Sequence, residues 1–149
     1  MHPFDIKTVL LANHAQHVVL IHFPIALFIA GVLFDFLWRW TKRQSLAAAA
    51  YCNFSLAALS TIPALITGIL AWQWQLEGQR LKGILLMHLL LASSSSLLIW
   101  TVWLLRRRVE RSEETTLPTY CLVAEVSGVL LVALTGHLGG FLSGVNLPS

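Results

Sequence analysis

Six histidines occur in this chain of 149 residues, of which 56% are hydrophobic. Three of them, His22, His88 and His137, lie inside long apolar stretches, where a polar side chain is costly and usually faces the interior of a helix bundle. Neutral imidazole is the commonest metal ligand in proteins. Two imidazoles on facing helices can hold a haem iron from both sides, without the covalent motif of c-type haem. The three histidines are therefore candidate axial ligands of a b-type haem.

The positions of these histidines along their stretches predict a single layer. At about 1.5 Å per helical residue, each lies roughly 24 Å from the basic end of its stretch. His17 is expected about one turn above this layer, where it could complete a second site. Gly136, Gly139 and Gly140 lie beside His137, and their lack of a side chain would let a flat macrocycle approach the helix. The pattern predicts one or two haem b groups, although a membrane histidine also commonly hydrogen-bonds a neighbouring helix.

The elements that position these residues are predicted to be membrane-spanning helices. Only 11% of the residues are charged, against about 25% in a soluble domain, so the surplus apolar surface must face lipid. A span needs about 20 mostly apolar residues. Residues 1–149 are predicted to form one all-α transmembrane domain, a four-helix bundle with spans at about 18–38, 46–72, 83–105 and 120–141.

The distribution of lysine and arginine predicts the orientation. The first and third connections contain seven basic residues: Arg39, Lys42, Arg43, Arg106, Arg107, Arg108 and Arg111. The other side contains only Lys7, Arg80 and Lys82. The positive-inside rule predicts that the richer side is cytoplasmic, with both termini periplasmic, in the bacterial inner membrane. Trp38 is expected at the inner interface. This arrangement explains the basic charge without nucleic acid, which is not an expected partner.

Two acidic residues lie within or near the spans. Asp35 precedes Arg39 by one turn, and the preferred interpretation is an ion pair between them at the interface. Glu125 lies about one turn into the fourth span. It could handle protons on the cytoplasmic side, or be protonated and hydrogen-bonded to a neighbouring helix. The Arg106–Arg108 run is expected to anchor a helix end on lipid headgroups.

Two motifs carry a family resemblance. The stretch HVVLIHFPIALFIAGVLFDFLW, from His17 to Trp38, contains an H-x4-H-F-P-I-A-L core. With His88 and the ending LTGHLGGFLSG, from Leu134 to Gly144, it resembles a bacterial family of predicted membrane proteins, domain of unknown function two-two-three-one. The resemblance covers nearly the whole chain, but its middle part is generic membrane sequence.

The resemblance implies a four-span bundle with no established catalytic activity. Relatives often sit beside, or are fused to, c-type cytochrome segments, which implies electron transfer near the outer face. The motif histidines carried over are His17, His22, His88 and His137. Many members have a further histidine after the closing segment, where this chain has FLSGVNLPS. That departure puts a second cofactor in question.

These observations favour a b-type haem-binding subunit of a larger membrane redox complex. It would pass electrons between the quinone pool, or another membrane donor, and a periplasmic c-type cytochrome. His22, His88 and His137 would compete for the two axial positions, and the third could serve a second haem with His17 or hydrogen-bond a quinone. Arg80, in the outer connection, could pair with haem propionates. Whether such a subunit is itself an enzyme is left open.

Two other classes of function are retained. The first is a cofactor-free structural or assembly subunit of a respiratory or photosynthetic complex, which the plain middle spans suit. The second is a copper or zinc site, since three histidines could bind either metal. The spans lack the methionine ligands of copper(I) carriers, because the chain's methionines are Met1 and Met87, and Met87 would point to a different face from His88.

Overall fold

The described part of the chain is entirely helical apart from its connections. The computed structural model describes residues 13–75, 77–78, 80–112 and 117–142. These form four helices: α1 (Asn13–Thr41), α2 (Gln44–Gln75), α3 (Gly83–Arg111) and α4 (Thr119–Leu142). Each is long and apolar enough to cross a membrane. The prediction of an all-α protein with four spans is confirmed, and the chain is a multi-pass membrane protein.

The helices extend beyond the predicted spans. α3, for example, continues from the predicted end at 105 to Arg111. Hydropathy marks only the apolar part of a helix, whereas the backbone hydrogen bonds continue for as long as the side chains can reach a polar environment. Long basic side chains do this by keeping their stems on apolar surface and their charges in water.

The four helices alternate in direction. α1 packs along α2, α2 against α3, α3 along α4, and α4 closes back onto α1. Along the α1–α2 contact, Gly31 lies opposite Phe54 and His17 lies opposite Gly68, so moving forward on one helix means moving backward on the other. α1 and α3 therefore run parallel to each other on opposite corners of an up-down-up-down bundle.

Among the residues that the structure describes, the buried ones all lie in one half of the bundle. This packed half comprises residues 24–41, 44–61, 95–111 and 117–132, at the end where α1 meets α2. One apolar cluster fills its centre: Phe28, Val32, Ala50, Phe54, Ala57, Ala58, Ile99, Val102 and Val132. A second cluster lies closer to the helix ends: Trp38, Ala47, Val109, Leu117 and Cys121. All four helices contribute to this core.

Two glycines let phenylalanine rings reach a neighbouring helix backbone. A Cβ built on Gly128 would lie 2.5 Å from the Phe28 ring, and one built on Gly31 would lie 2.8 Å from the Phe54 ring. The two rings are 5.5 Å apart, centroid to centroid, and both residues are fully buried. In a membrane, where apolar surface gains little from leaving lipid, such close packing holds helices together.

Hydrogen bonds between helices add to this packing. Trp100 Nε1 donates to Thr61 Oγ1 and Trp103 Nε1 donates to Ser55 Oγ, both at 3.0 Å. Trp38, expected at the membrane interface, is only 2% exposed. That expectation was wrong because the indole packs inside the bundle, against an arginine described below.

The other half of the bundle is loosely packed. This open half comprises residues 16–23, 62–74, 83–94 and 133–142, and none of these described residues is buried. The four candidate histidines lie here. The structure therefore separates a tightly packed end from an end at which every described side chain is at least partly exposed.

Candidate functional site

His17 lies on the inward face of α1. It precedes the buried residues Pro24 and Phe28 by seven and eleven positions, a spacing that keeps side chains on one helix face. Its Nδ1 is 3.2 Å from Thr67 Oγ1. That hydroxyl also lies 2.8 Å from the Pro63 carbonyl and 3.1 Å from the Ala64 carbonyl. When its proton is given to either carbonyl, it accepts from the Nδ1–H of a neutral His17.

Gly68 provides the space for this imidazole. A Cβ at position 68 would lie 3.0 Å from His17 Cε1, closer than ordinary van der Waals contact. Ala64 and Gly68 are small residues one turn apart, and such pairs favour close helix packing. In the structure, Gly68 receives a histidine ring.

His88 lies on the inward face of α3. It precedes the buried residues Ser95 and Ile99 by seven and eleven positions. A Cβ on Gly139 would lie 3.2 Å from His88 Cε1. His88 Nδ1 is buried and makes no well-formed hydrogen bond with a described residue, although the Thr135 backbone lies near it. The His88 imidazole is therefore inward and packed against α4.

His22 and His137 lie on outward faces. His22 is exposed, and its Nδ1 is 2.6 Å from the carbonyl of Val18 in the same helix. His137 is exposed beside the Phe141 ring, with the centroids 5.0 Å apart. Their faces also carry the exposed residues Ile29, Leu33, Leu130 and Leu134. Ligation by His22 and His137 stays a prediction, and it would require a cofactor on the outer surface of the bundle.

The remaining predicted site residues are also placed. A Cβ on Gly136 would meet nothing within 4 Å, so the glycine that makes room for a histidine is Gly139. Gly140 is half-buried, and Arg80 is exposed in the connection between α2 and α3. The depth of a residue in the membrane follows from counting residues along its helix. The direction of its side chain depends on how the helix is rotated about its axis. A helix that is apolar on every side gives little sign of that rotation in its sequence.

A buried ion pair lies at the opposite end of the interior. Arg106 Nε of α3 is 2.7 Å from Asp35 Oδ2 of α1, and both side chains are fully buried. The predicted Asp35–Arg39 pair was wrong. Arg39 instead donates from Nη1 to the Leu117 carbonyl at 3.4 Å. Asp35 pairs with Arg106, 71 residues further along the chain, because both side chains point into the bundle. Arg39, four residues after Asp35, is exposed.

Every helix contributes to the surroundings of Arg106. Its guanidinium carbon lies 5.1 Å from the centroid of the Trp38 ring of α1, a distance typical of a cation–π contact. Its Nη2 donates to the Ala47 carbonyl of α2 at 3.4 Å. From α4, the Glu125 side chain is fully buried and faces Asp35. Arg106 had been expected to anchor α3 on lipid headgroups, but it is part of the core.

The ion pair and the inward histidines lie on the same faces. His17 precedes Asp35 by eighteen residues, and His88 precedes Arg106 by the same number. Eighteen residues make about five full turns and about 27 Å. Because α1 and α3 run parallel and Asp35 touches Arg106, regular helices would place His17 and His88 at about the same level, on faces directed toward the same interior. The same spacing of eighteen residues is present in the sequence. It relates His17 to His88 only once the contact between Asp35 and Arg106 is known.

The chain can now be compared with known proteins. The family model described as "Predicted membrane protein (DUF2231)" matches residues 13–145, a range that includes all four helices. The chain belongs to this family. No curated protein and no solved structure matches it. The printed description of DUF2231 gives a location in the membrane and no reaction, ligand or partner.

Within this DUF2231 chain, the open half suits some metal sites better than others. The described residues contain no group of three or more His, Cys, Asp and Glu side chains that could hold a metal ion. Structural zinc usually takes four protein ligands and catalytic zinc three. A haem iron takes its equatorial ligands from the macrocycle and needs the protein only at the axial positions. The two inward histidines are therefore the residues that could hold a haem, each ring packed against a glycine of the neighbouring helix.

Proposed function

We propose that this protein is a b-type haem-binding subunit that transfers electrons within a larger membrane redox complex. One feature carries the proposal: His17 and His88 each lie eighteen residues before a member of the buried Asp35–Arg106 pair, on the helix faces that carry that pair. Two such histidines are the arrangement by which helix bundles bind haem.

The immediate surroundings of both rings support ligation. Thr67 Oγ1 lies 3.2 Å from His17 Nδ1, and such an outer hydrogen bond is what orients a ligating histidine. Because Gly68 and Gly139 have no side chains, the two imidazoles can pack directly against the backbones of α2 and α4. A bound haem would carry one electron at a time. The polypeptide would supply the axial nitrogens and an apolar environment that excludes water.

The proposal includes an orientation. Basic residues at the packed end, including Arg39, Lys42, Arg43 and Arg108, favour the cytoplasmic side of a bacterial inner membrane. The open half then lies toward the periplasm, where a c-type cytochrome could accept or deliver an electron. Arg80 is exposed at that end and could contact the acidic surface of such a partner. The quinone pool, or another membrane protein, would be the other redox partner.

The absorption spectrum of the purified protein tests this proposal. The chain would be expressed with an adequate haem supply, purified in mild detergent, and measured as isolated and after reduction with dithionite. We expect a sharp reduced α-band of b type, with about one haem per chain. A featureless spectrum from protein shown to be folded by circular dichroism would contradict the proposal.

A cofactor-free structural or assembly subunit is the second candidate. The outward positions of His22 and His137, on faces with exposed Leu33 and Leu134, favour contacts with another subunit. Under that hypothesis the spectrum would be featureless and the chain would co-purify with partner subunits. Metal analysis of the same sample would test the copper or zinc hypothesis.

A further inference from the structure

The buried groups Asp35, Arg106 and Glu125 do not balance in charge when all three are ionised. Each side chain is fully buried, and together they would carry two negative charges and one positive charge. An uncompensated charge in the interior of a protein is strongly unfavourable, and the surrounding lipid cannot solvate it. One proton on the two carboxyl groups would make the cluster neutral.

Hydrogen-bonding capacity leads to the same conclusion. Both Glu125 carboxyl oxygens are buried and make no well-formed hydrogen bond with a described residue, and the carboxyl group faces Asp35. Two ionised carboxylates are both acceptors, so they cannot bond to each other. A single proton between them supplies the missing donor, while Asp35 keeps its contact with Arg106.

The other groups around the cluster do not supply this charge. From α2, the Ala47 carbonyl accepts from Arg106, and from α1 the Trp38 ring lies beside the same guanidinium. From α4, the Cys121 thiol is neutral when protonated. On α3, Glu110 is a further acid, exposed and one turn from Arg106. Among the described residues that face the two carboxyl groups, Arg106 is the only cation identified.

We propose that Asp35, Arg106 and Glu125 form a proton-binding site that holds one proton on the carboxyl pair when Arg106 is charged. The ligand is a hydrogen ion, shared between two acceptors that belong to different helices. The site does not depend on a haem, since it lies five helical turns from His17 and His88.

Infrared spectroscopy counts the protonated carboxyl groups. At neutral pH the solvent-exposed acids are ionised, so a C=O stretching band of a carboxylic acid that shifts in protein prepared in D2O reports a buried acid. We expect one equivalent of this band in the wild-type protein. Glu125→Gln and Asp35→Asn should each abolish it, because the remaining carboxylate balances Arg106. Arg106→Gln should double the band, because both acids must then be neutral.

Glu110→Gln is the matched control. It makes the same change one turn from Arg106, at an exposed position of the same helix, and should leave the band unchanged. Absence of the band in the folded wild-type protein, or its survival in both Glu125→Gln and Asp35→Asn, would overturn the proposal. Each of these two variants removes one carboxyl group together with the shared proton and leaves a neutral ion pair with Arg106, so the test does not depend on Arg106→Gln folding.

Discussion

The two halves of this bundle use different chemistry inside the same four helices. The packed half buries aromatic rings against glycines and closes over an ion pair that is fully excluded from solvent. The open half buries none of its described residues and presents imidazoles to the interior instead. One end therefore provides close packing and the other leaves space.

The contrast shows that the contacts stabilising this small membrane bundle lie in a different half from its inward histidines. Lipid is as apolar as leucine, so helices associate through close contacts and polar bonds rather than by burying apolar surface. Because those contacts are concentrated in one half, we expect substitutions in the packed half to change mainly stability. We expect substitutions at the inward histidines to change mainly the haem content.

The largest loss of stability is expected on removing the buried guanidinium. Arg106→Ala leaves a cavity, removes the contact with Trp38 and forces both acids to be neutral. We expect the free energy of unfolding to fall by about 3–5 kcal/mol, as on breaking a buried ion pair. Denaturation with sodium dodecyl sulfate would measure it. Arg108→Ala, at an exposed position two residues away, should change it by less than about 0.5 kcal/mol.

A similar contrast is expected for large apolar side chains. Phe54 is fully buried, and Phe54→Ala should lower the free energy of unfolding by about 3 kcal/mol through the cavity that it creates. Leu90, in the open half, is 58% exposed, and Leu90→Ala should have little effect because lipid replaces the lost contacts. Equal losses for the two variants would mean that the halves are equally packed.

Two glycines of α4 give a sharper comparison. Gly128→Ala would place a methyl group 2.5 Å from the buried Phe28 ring, and the resulting overpacking should cost about 1–3 kcal/mol. At Gly136 the same methyl group would meet nothing within 4 Å, so Gly136→Ala should be neutral or slightly stabilising through helix propensity. Thermal unfolding followed by circular dichroism would distinguish them. A destabilised Gly136→Ala variant would show that the open half is more tightly packed than described.

The smallest effect on stability is expected beside the histidines. A methyl group at position 139 would lie 3.2 Å from His88 Cε1, so Gly139→Ala should displace the ring by a few tenths of an ångström. We expect little change in unfolding but a lower haem content or a shifted α-band. Gly136→Ala, three residues away on the same helix, is the control. Haem content and spectrum equal to wild type in Gly139→Ala would remove this glycine from the site.

In both halves, the sequence predicts where the helices lie better than it predicts which side chains face the interior. Four apolar stretches and the distribution of arginines are sufficient to predict four spans, because length and hydropathy decide whether a helix can cross a bilayer. They do not reveal which face of each helix is inward. The sequence therefore favours Arg39 as the ion-pair partner of Asp35. It also makes His22 and His137 as good candidate ligands as His88. The Asp35–Arg106 contact joins residues far apart in the chain and needed the packed bundle to become visible.

The most direct test of the account compares four single variants by reduced-minus-oxidised absorption spectroscopy. His17→Ala and His88→Ala each remove an inward imidazole, whereas His22→Ala and His137→Ala remove exposed ones from the same half. The account predicts that the α-band is lost or strongly altered in the first two and unchanged in the last two. Loss of the band in His22→Ala or His137→Ala, with His17→Ala and His88→Ala unaffected, would contradict it and place the iron on the outer surface of the bundle.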